Sequence, residues 1–422
     1  MLKLLRGGIV SAFFLALFFL LFSKNILAVN PGLGVCHWPG TTGIGRSGVS
    51  WFYWGGGGGQ EWKEIEPVKG SYQFAAFDSA LQTHFASYPN TSFVLNIFTA
   101  QPPVVPNWAK PTRTDCPVAD TTCNPYGYIE TSSSFGAFAP WNASYLSALN
   151  ALAAVTATHI KSTDFNYRDK IAGINIMAGG YFGEMITGTD AGTDDYNKWI
   201  DAGYTDDLYR NTLVNQIIPI YKNAFAGLNY PFVIQLGYGL NGQVSFLNSV
   251  LDAIYQTHPD LRGRIYYKFN NWSQNSWNGD QLGSDQVYSH DILKNAASYT
   301  QVGWEPGALP TTETSSALLF QNLVKTIEYT RASFFCLQEE YYNYLDDSKT
   351  SQIAVKLEAN ATPFPTSSLS PTRTPACLVM ARNGDYDCNG VINLLDFEAW
   401  KTDYLAGRAS LSYFEYFRRV MY

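Results

Sequence analysis

Two short stretches of this chain reach a glutamate in the same way. Ile171–Met185 (IAGINIMAGGYFGEM) runs apolar through Ile171, Ile174, Ile176 and Met177, breaks at Gly179-Gly180 and arrives at Glu184 beside Tyr181 and Phe182. Tyr299–Gly307 (YTQVGWEPG) has the same grammar and arrives at Glu305. Apolar runs of this kind suit strands covered on both faces, as in a parallel sheet. A carboxyl at the C-terminal end of such a strand stands where barrel enzymes hold catalytic groups. One strand-end glutamate alone reads as a surface turn residue; the repeated pattern makes a pair. Two carboxyl groups at one rim can divide acid–base work, one giving a proton while the other stays ionised.

Such a pair needs a scaffold that brings distant segments together. Eight apolar segments recur: Leu33–Trp38, Gly48–Trp54, Thr91–Phe98, Ile171–Met177, Phe232–Leu236, Ile265–Phe269, Tyr299–Trp304 and Ala332–Leu337. Amphipathic stretches lie between several of them, at Tyr145–His159, Asp206–Phe225, Ser245–Tyr255 and Ser315–Tyr329. Strands alternating with helices imply a parallel sheet with right-handed crossovers, and eight units predict an α/β fold, a (β/α)8 TIM barrel, over residues 29–358. The rival is an open doubly wound sheet, which would need a glycine-rich phosphate turn after an early strand. Gly55–Gly59 is glycine-rich but lacks the GxGxxG spacing and a phosphate lysine, and reads as a rim loop.

The chain has 422 residues, 46% hydrophobic and 15% charged, enough for a large core. A net charge of −7 with no Lys/Arg block argues against nucleic acid as a partner. Residues 1–28 place Lys3 and Arg6 ahead of the apolar run Ile9–Phe22 and a small residue at Ala28, the order of an export signal. That run is shorter than the roughly 20 residues needed to span a bilayer, so a membrane role is expected only if the signal stays uncleaved. The reading is a secreted or cell-surface protein, and six cysteines in such a chain favour disulfides. Cys116 with Cys123 and Cys377 with Cys388 are near enough in sequence to pair locally. Cys36 and Cys336 fall on the first and last predicted strands, which a closed barrel makes neighbours; a disulfide and two buried thiols both stay open there.

Residues 359–376, dense in Pro, Ser and Thr, form a linker. Beyond it, in residues 377–422, DYDCNGVINLLD sets Asp385, Asp387, Asn389 and Asp396 at positions 1, 3, 5 and 12 of a calcium loop, with Gly390 at the turn. Oxygen ligands at alternate residues suit a hard cation. This stretch, with Asn393 and a following helix Phe397–Leu405, resembles a dockerin repeat, which implies structural Ca2+, a small α-helical EF-hand-like module and a cohesin-like scaffold as partner. Leu411–Arg419 echoes the helix without an acidic loop before it, so one calcium site is expected.

WKEIEPVKGSYQFAAFD carries a longer signature: Trp62, Ile65, Glu66, Pro67, Gly70, Tyr72, Phe74, Phe77 and Asp78. Physically it is a turn after the second strand, with Pro67 ending one segment, Gly70 relieving the bend, and Phe74 and Phe77 opening a helix that packs inward. It also resembles the pattern of retaining glycosidases of clan A, particularly the family 42 β-galactosidases, and with Glu184 and Glu305 the resemblance covers about residues 31–345. It implies β-glycosides as substrate and no cofactor for catalysis, with Glu184 at the family's acid/base position and Glu305 at its nucleophile position. That chemistry needs the carboxyls about 5–5.5 Å apart, whereas an inverting hydrolase holds them beyond about 6.5 Å. Mutual repulsion and aromatic neighbours favour keeping one acid protonated, a role that falls to Glu184.

One position departs from the family: Gly183 stands where these enzymes carry an asparagine for the sugar 2-hydroxyl. Asn270 or Asn271 could replace that donor, or the chain is a divergent or weakly active member. Glu339, Glu340 and Glu66 are rival carboxylates. Trp54, Trp108, Trp272 and Trp304 fall at strand ends where indoles can stack on sugars or plug the barrel, and Tyr238 and Tyr267 could hydrogen-bond near the nucleophile. His37 reads as a core or rim residue. No His/Cys cluster has zinc spacing and no G-x-S-x-G elbow is present. The expected function is a glycoside hydrolase; the alternative is a non-catalytic carbohydrate-binding or surface-assembly protein on a degenerate barrel.

Overall fold

The computed structural model describes residues 32–36, 43–53, 59–100, 103–113, 116–130, 136–181, 183–187, 193–284, 286–307, 310 and 315–361. Trp54, His37, Cys377, Cys388, the export signal, residues 362–376 of the predicted linker and the calcium loop from Asp385 to Asp396 lie outside the described residues, while Ala359 and Asn360, read as linker, end the last described helix.

Eight strands pair side by side in chain order: β1 (Gly32–Val35), β2 (Val49–Tyr53), β3 (Ser92–Leu95), β4 (Ile171–Asn175), β5 (Phe232–Gln235), β6 (Ile265–Trp272), β7 (Val302–Pro306) and β8 (Phe334–Leu337). All pairings are parallel, and β8 returns to β1 with Gly32 opposite Phe334 and Val35 opposite Leu337, closing the ring. Closure rules out the open doubly wound sheet. Each predicted segment holds a strand, although most strands are shorter than their apolar runs. β6 is longer, because its ladder with β7 continues to Trp272 opposite Pro306.

Among the described residues the helices longer than one turn outside the ring are α1 (Ala75–Ser87), α2 (Ala143–Lys161), α3 (Thr193–Asp201), α4 (Asp206–Thr212), α5 (Ile218–Ala224), α6 (Val244–Thr257), α7 (Val287–Ala296), α8 (Ser316–Thr330) and α9 (Asp347–Asn360). Four start on a side-chain cap that accepts a backbone N–H: Asn142 from Tyr145, Thr205 from Leu208, Ser315 from Leu318 and Asp346 from Lys349. A π-helical segment, Leu213–Ile217, joins α4 to α5. With i→i+5 bonding the Val214 carbonyl would accept from residue 219, which is proline and has no N–H. His258 Nε2 donates to that carbonyl instead, at 2.7 Å.

Alternation along the strands divides the core in two. Trp51, Tyr53, Val94, Ala172, Val233, Tyr266 and Phe334 cluster with Cys36 and Cys336 inside the ring, while Phe52, Tyr267, Phe269 and Trp304 belong to the larger core beneath the helices. Gly303 on β7 is required by this filling, since a Cβ there would lie 2.3 Å from the Phe334 ring. Cys36 and Cys336 are joined in a disulfide with Cα atoms 5.1 Å apart, and Cys116 with Cys123 at 6.0 Å. Among the described residues no helix is long and apolar enough to cross a membrane.

Candidate active site

Glu305 is the fourth residue of β7 and is 8% exposed. Its Oε2 contacts the ammonium of Lys268, a 1% exposed residue on the neighbouring strand β6. The Lys268 nitrogen also stands 4.0 Å from the centre of the Tyr53 ring, on β2 across the barrel interior. A lysine ammonium buried this deeply has to find an anion. On its other side Glu305 meets the Cys36–Cys336 bridge: both sulfurs and a Glu305 carboxylate oxygen lie within 4.8 Å of one another.

Glu184 reaches the same rim by a different route. Ile176 N donates to Val233 O on β5 at 2.9 Å, and the next such bond to β5 comes from Met185 N to Gln235 O at 2.9 Å. Residues 178–181 and 183–184 therefore belong to a loop thrown out between two ladder steps. It is pinched by Ala178 N to Gly183 O (2.9 Å) and Gly180 N to Glu184 O (2.7 Å). Tyr209 of α4 holds both ends, donating to Ala178 O at 2.8 Å and accepting from Ile186 N at 3.1 Å. Glu184 emerges level with the last residue of β5, 1% exposed, at the C-terminal rim that also carries Glu305. Its Oε1 folds back over Gly180, within 2.6 Å of where a Cβ would be.

The geometry of this loop calls for glycine at position 183. Gly183 has φ +89°, a conformation that side-chain-bearing residues avoid, and a Cβ there would lie 2.4 Å from Met177 Sδ. Asn175, the last residue of β4, lies alongside, but its amide is engaged: Oδ1 accepts from Tyr53 OH at 2.9 Å and Nδ2 donates to Asn96 Oδ1 at 3.0 Å. The Tyr53 phenol is held well above its ordinary pKa, first by burial and then by the negative charge of Glu305, and so serves as a neutral donor.

Three expected sugar contacts are corrected. Trp304 is fully buried under the helices, its indole N–H directed to Thr330 Oγ1 at 3.3 Å and its ring against His290. Trp272 is likewise buried, donating to Thr326 Oγ1 at 2.9 Å and packing on Phe335. Tyr267 faces the helix layer beside Tyr299, because the pleat that turns Lys268 inward turns its neighbour outward. Trp108 is half-buried beyond the ends of β2 and β3, its indole bound to Glu66 O at 3.0 Å. Tyr238 is half-buried after β5, stacked on Phe269, and its pKa is pushed up to about 12 by burial. Asn270 and Asn271 end β6 half-buried at the rim.

The rival carboxylates hold the chain together. Glu66 accepts from the Trp62 indole at 2.8 Å and from Gly70 N at 2.7 Å, so the WKEIEPVKG signature is a turn knotted by its own acid. Glu339 accepts from Gly43 N at 3.0 Å, tying the region after β8 to the β1–β2 connection. Glu340 is exposed in the same turn, Glu339–Asn343. Two groups of Cys, Asp or Glu among the described residues have metal-ligand spacing, Cys36–Glu305–Cys336 and Cys116–Asp120–Cys123, but disulfides take the sulfurs in both. Sequence reading passed over Lys268, Tyr53, Asn175 and Asn96. Lys268 alone left a signal, a charge inside the apolar run IYYKF.

No protein-family model matches the sequence, and the search of curated proteins finds no match. Among solved structures the chain has distant similarity to the beta-galactosidase from the psychrophilic Marinomonas ef1, at 11% identity and a TM-score of 0.44, covering 77% of this chain and 59% of that one. The beta-galactosidase from Rahnella sp. R3 is similar at 10% identity and a TM-score of 0.33, covering 82% of this chain and 57% of that one. The chain thus spans less than two thirds of either structure, and the barrel assignment rests on the strand pairing above.

Proposed function

We propose that this barrel is a glycoside hydrolase that cleaves β-glycosidic bonds of oligo- or polysaccharides by a two-glutamate retaining mechanism. The observation that carries the reading is Glu305, buried at the C-terminal end of β7 against the Lys268 ammonium, with Glu184 on the same rim. Glu305 is the nucleophile: Lys268 stabilises its negative charge, and its carboxylate attacks the anomeric carbon. Glu184 gives its proton to the departing glycosidic oxygen, then takes one from the water that releases the sugar. Asn270 and Asn271 supply amides to sugar hydroxyls from the end of β6, and Trp108 offers a half-buried ring. Residues 1–28 export the chain. The loop from Asp385 to Asp396 holds Ca2+ in a dockerin-like tail whose partner is a cohesin-like scaffold.

A second reading, non-catalytic carbohydrate binding on a degenerate barrel, draws on Gly183 and on an ammonium that already occupies the nucleophile. Activated aryl β-glycosides separate the two. Turnover with retained anomeric configuration by 1H NMR, lowered about 10²–10⁴-fold in Glu184→Gln and at least as far in Glu305→Gln, is the expected result. Absence of turnover across a panel of β-glycosides, or variants as active as the parent, would refute the hydrolase. Inverted product would refute the retaining step alone.

A further inference from the structure

The bond between Cys36 and Cys336 staples the ring where its first and last strands meet, 300 positions apart in sequence. Both cysteines are buried, at 2% and 0% exposed, and lie inside the barrel. β7 pairs with β8 through Gly303–Phe334 and Trp304–Phe335, so the next step of that register sets Glu305 beside Cys336. Cys336 in turn faces Gly34 of β1, and Cys36 N donates to Leu337 O at 2.9 Å. Glu305 is therefore held between two flanks: the ammonium of Lys268 and the sulfur bridge, whose atoms lie within 4.8 Å of its carboxylate. β1 is only four residues long, and no helix is found among the described residues between it and β2.

We propose that the Cys36–Cys336 disulfide is a positioning element for Glu305, so that opening it disables this carboxylate while the barrel stays folded. The proposal rests on Glu305 being the nucleophile. Two thiols cannot approach to the roughly 2 Å of a covalent S–S bond. In a closed interior the added separation has two outlets, the seam between β1 and β8 or the space beside Glu305. Either moves the carboxylate relative to Lys268, and a displacement of about 1 Å at a reacting group costs about 10²-fold in rate. The opening reaction is exchange with a dithiol. A thiolate attacks one sulfur, the mixed disulfide is resolved by the dithiol's second sulfur, and two electrons and two protons pass to leave two Sγ–H groups and an oxidised cyclic dithiol.

The test uses the full chain, with Cys36→Ser/Cys336→Ser and Cys36→Ala/Cys336→Ala to open the seam and Cys116→Ser/Cys123→Ser as the control. Reduced and reoxidised parent protein is examined alongside, with bridge status read by alkylation and mass. Expected are a kcat lowered about 10²-fold with KM within threefold in both seam variants, unchanged far-ultraviolet circular dichroism, recovery on reoxidation and little change in the control. In parallel, the 13C carboxyl signal of Glu305, assigned by its loss in Glu305→Gln, is expected to move when the seam opens while that of Glu66 stays. A folded, open seam with parent kcat and an unmoved Glu305 signal would overturn the proposal. So would loss of circular dichroism in both seam variants, since the bridge would then hold the fold. If the oxidised parent turns over no glycoside, the hydrolase reading fails on that observation, and the Glu305 signal alone decides whether the bridge seats the carboxylate.

Discussion

The contact between Lys268 and Glu305 makes a quantitative claim that unfolding measurements can check. For unit charges about 3 Å apart at an effective dielectric of about 20, the attraction is about 5 kcal/mol. Desolvation of the two groups, whose side chains are 1% and 11% exposed, offsets most of that. The pair therefore adds little net stability, while losing one partner leaves the other charge buried at a cost of about 3–5 kcal/mol. Lys268→Met and Glu305→Gln should each lose that much in urea unfolding followed by tryptophan fluorescence. The double variant should be more stable than either single one. Lys268→Arg should restore only part of the loss, because a planar guanidinium does not fit the space between Tyr53 and Glu305 as an ammonium does. Single-variant losses that simply add in the double variant, within about 0.5 kcal/mol, would refute the idea that the two charges depend on each other.

Burial lowers the His84 imidazole from 6.5 to about 4, so the unfolded chain takes up a proton at a pH where the folded chain does not. Stability should be full above about pH 6.5, fall as pH drops toward 4 and then level, a loss of up to about 3 kcal/mol that His84→Phe should flatten in urea midpoints taken across that window. His258→Phe should cost about 1–3 kcal/mol by orphaning the Val214 carbonyl, and Pro219→Ala in the same background should recover part of it by restoring a backbone N–H; equal losses in both backgrounds would contradict that account. For the tail, isothermal titration should find one Ca2+ per chain, abolished by Asp385→Ala; two tight sites, or none, would contradict the one-loop reading.

The sequence by itself carried the barrel. Eight apolar runs at strand length, separated by amphipathic stretches, leave few other ways to cover both faces of every strand, and each run overlaps its strand. It also marked Glu305 and Glu184, because an acid at the end of an apolar run is visible along one dimension. Which way each side chain faces is a different matter, decided only by the tertiary structure. A shift of one residue on β6 exchanges inside for outside, so Lys268 enters the ring and Tyr267 leaves it, and Trp304 next to Glu305 falls under the helices. The loop that follows β4 reads as a glycine-rich break in the chain; only the bond from Met185 N back to β5 shows that the chain returns to the ring after it and delivers Glu184 to the rim. Cys36 and Cys336 could pair or remain thiols until closure put their Cα atoms 5.1 Å apart. Local pattern sets what kind of element forms, because burial acts residue by residue. Which groups meet depends on the closing of the ring, which joins residues hundreds of positions apart.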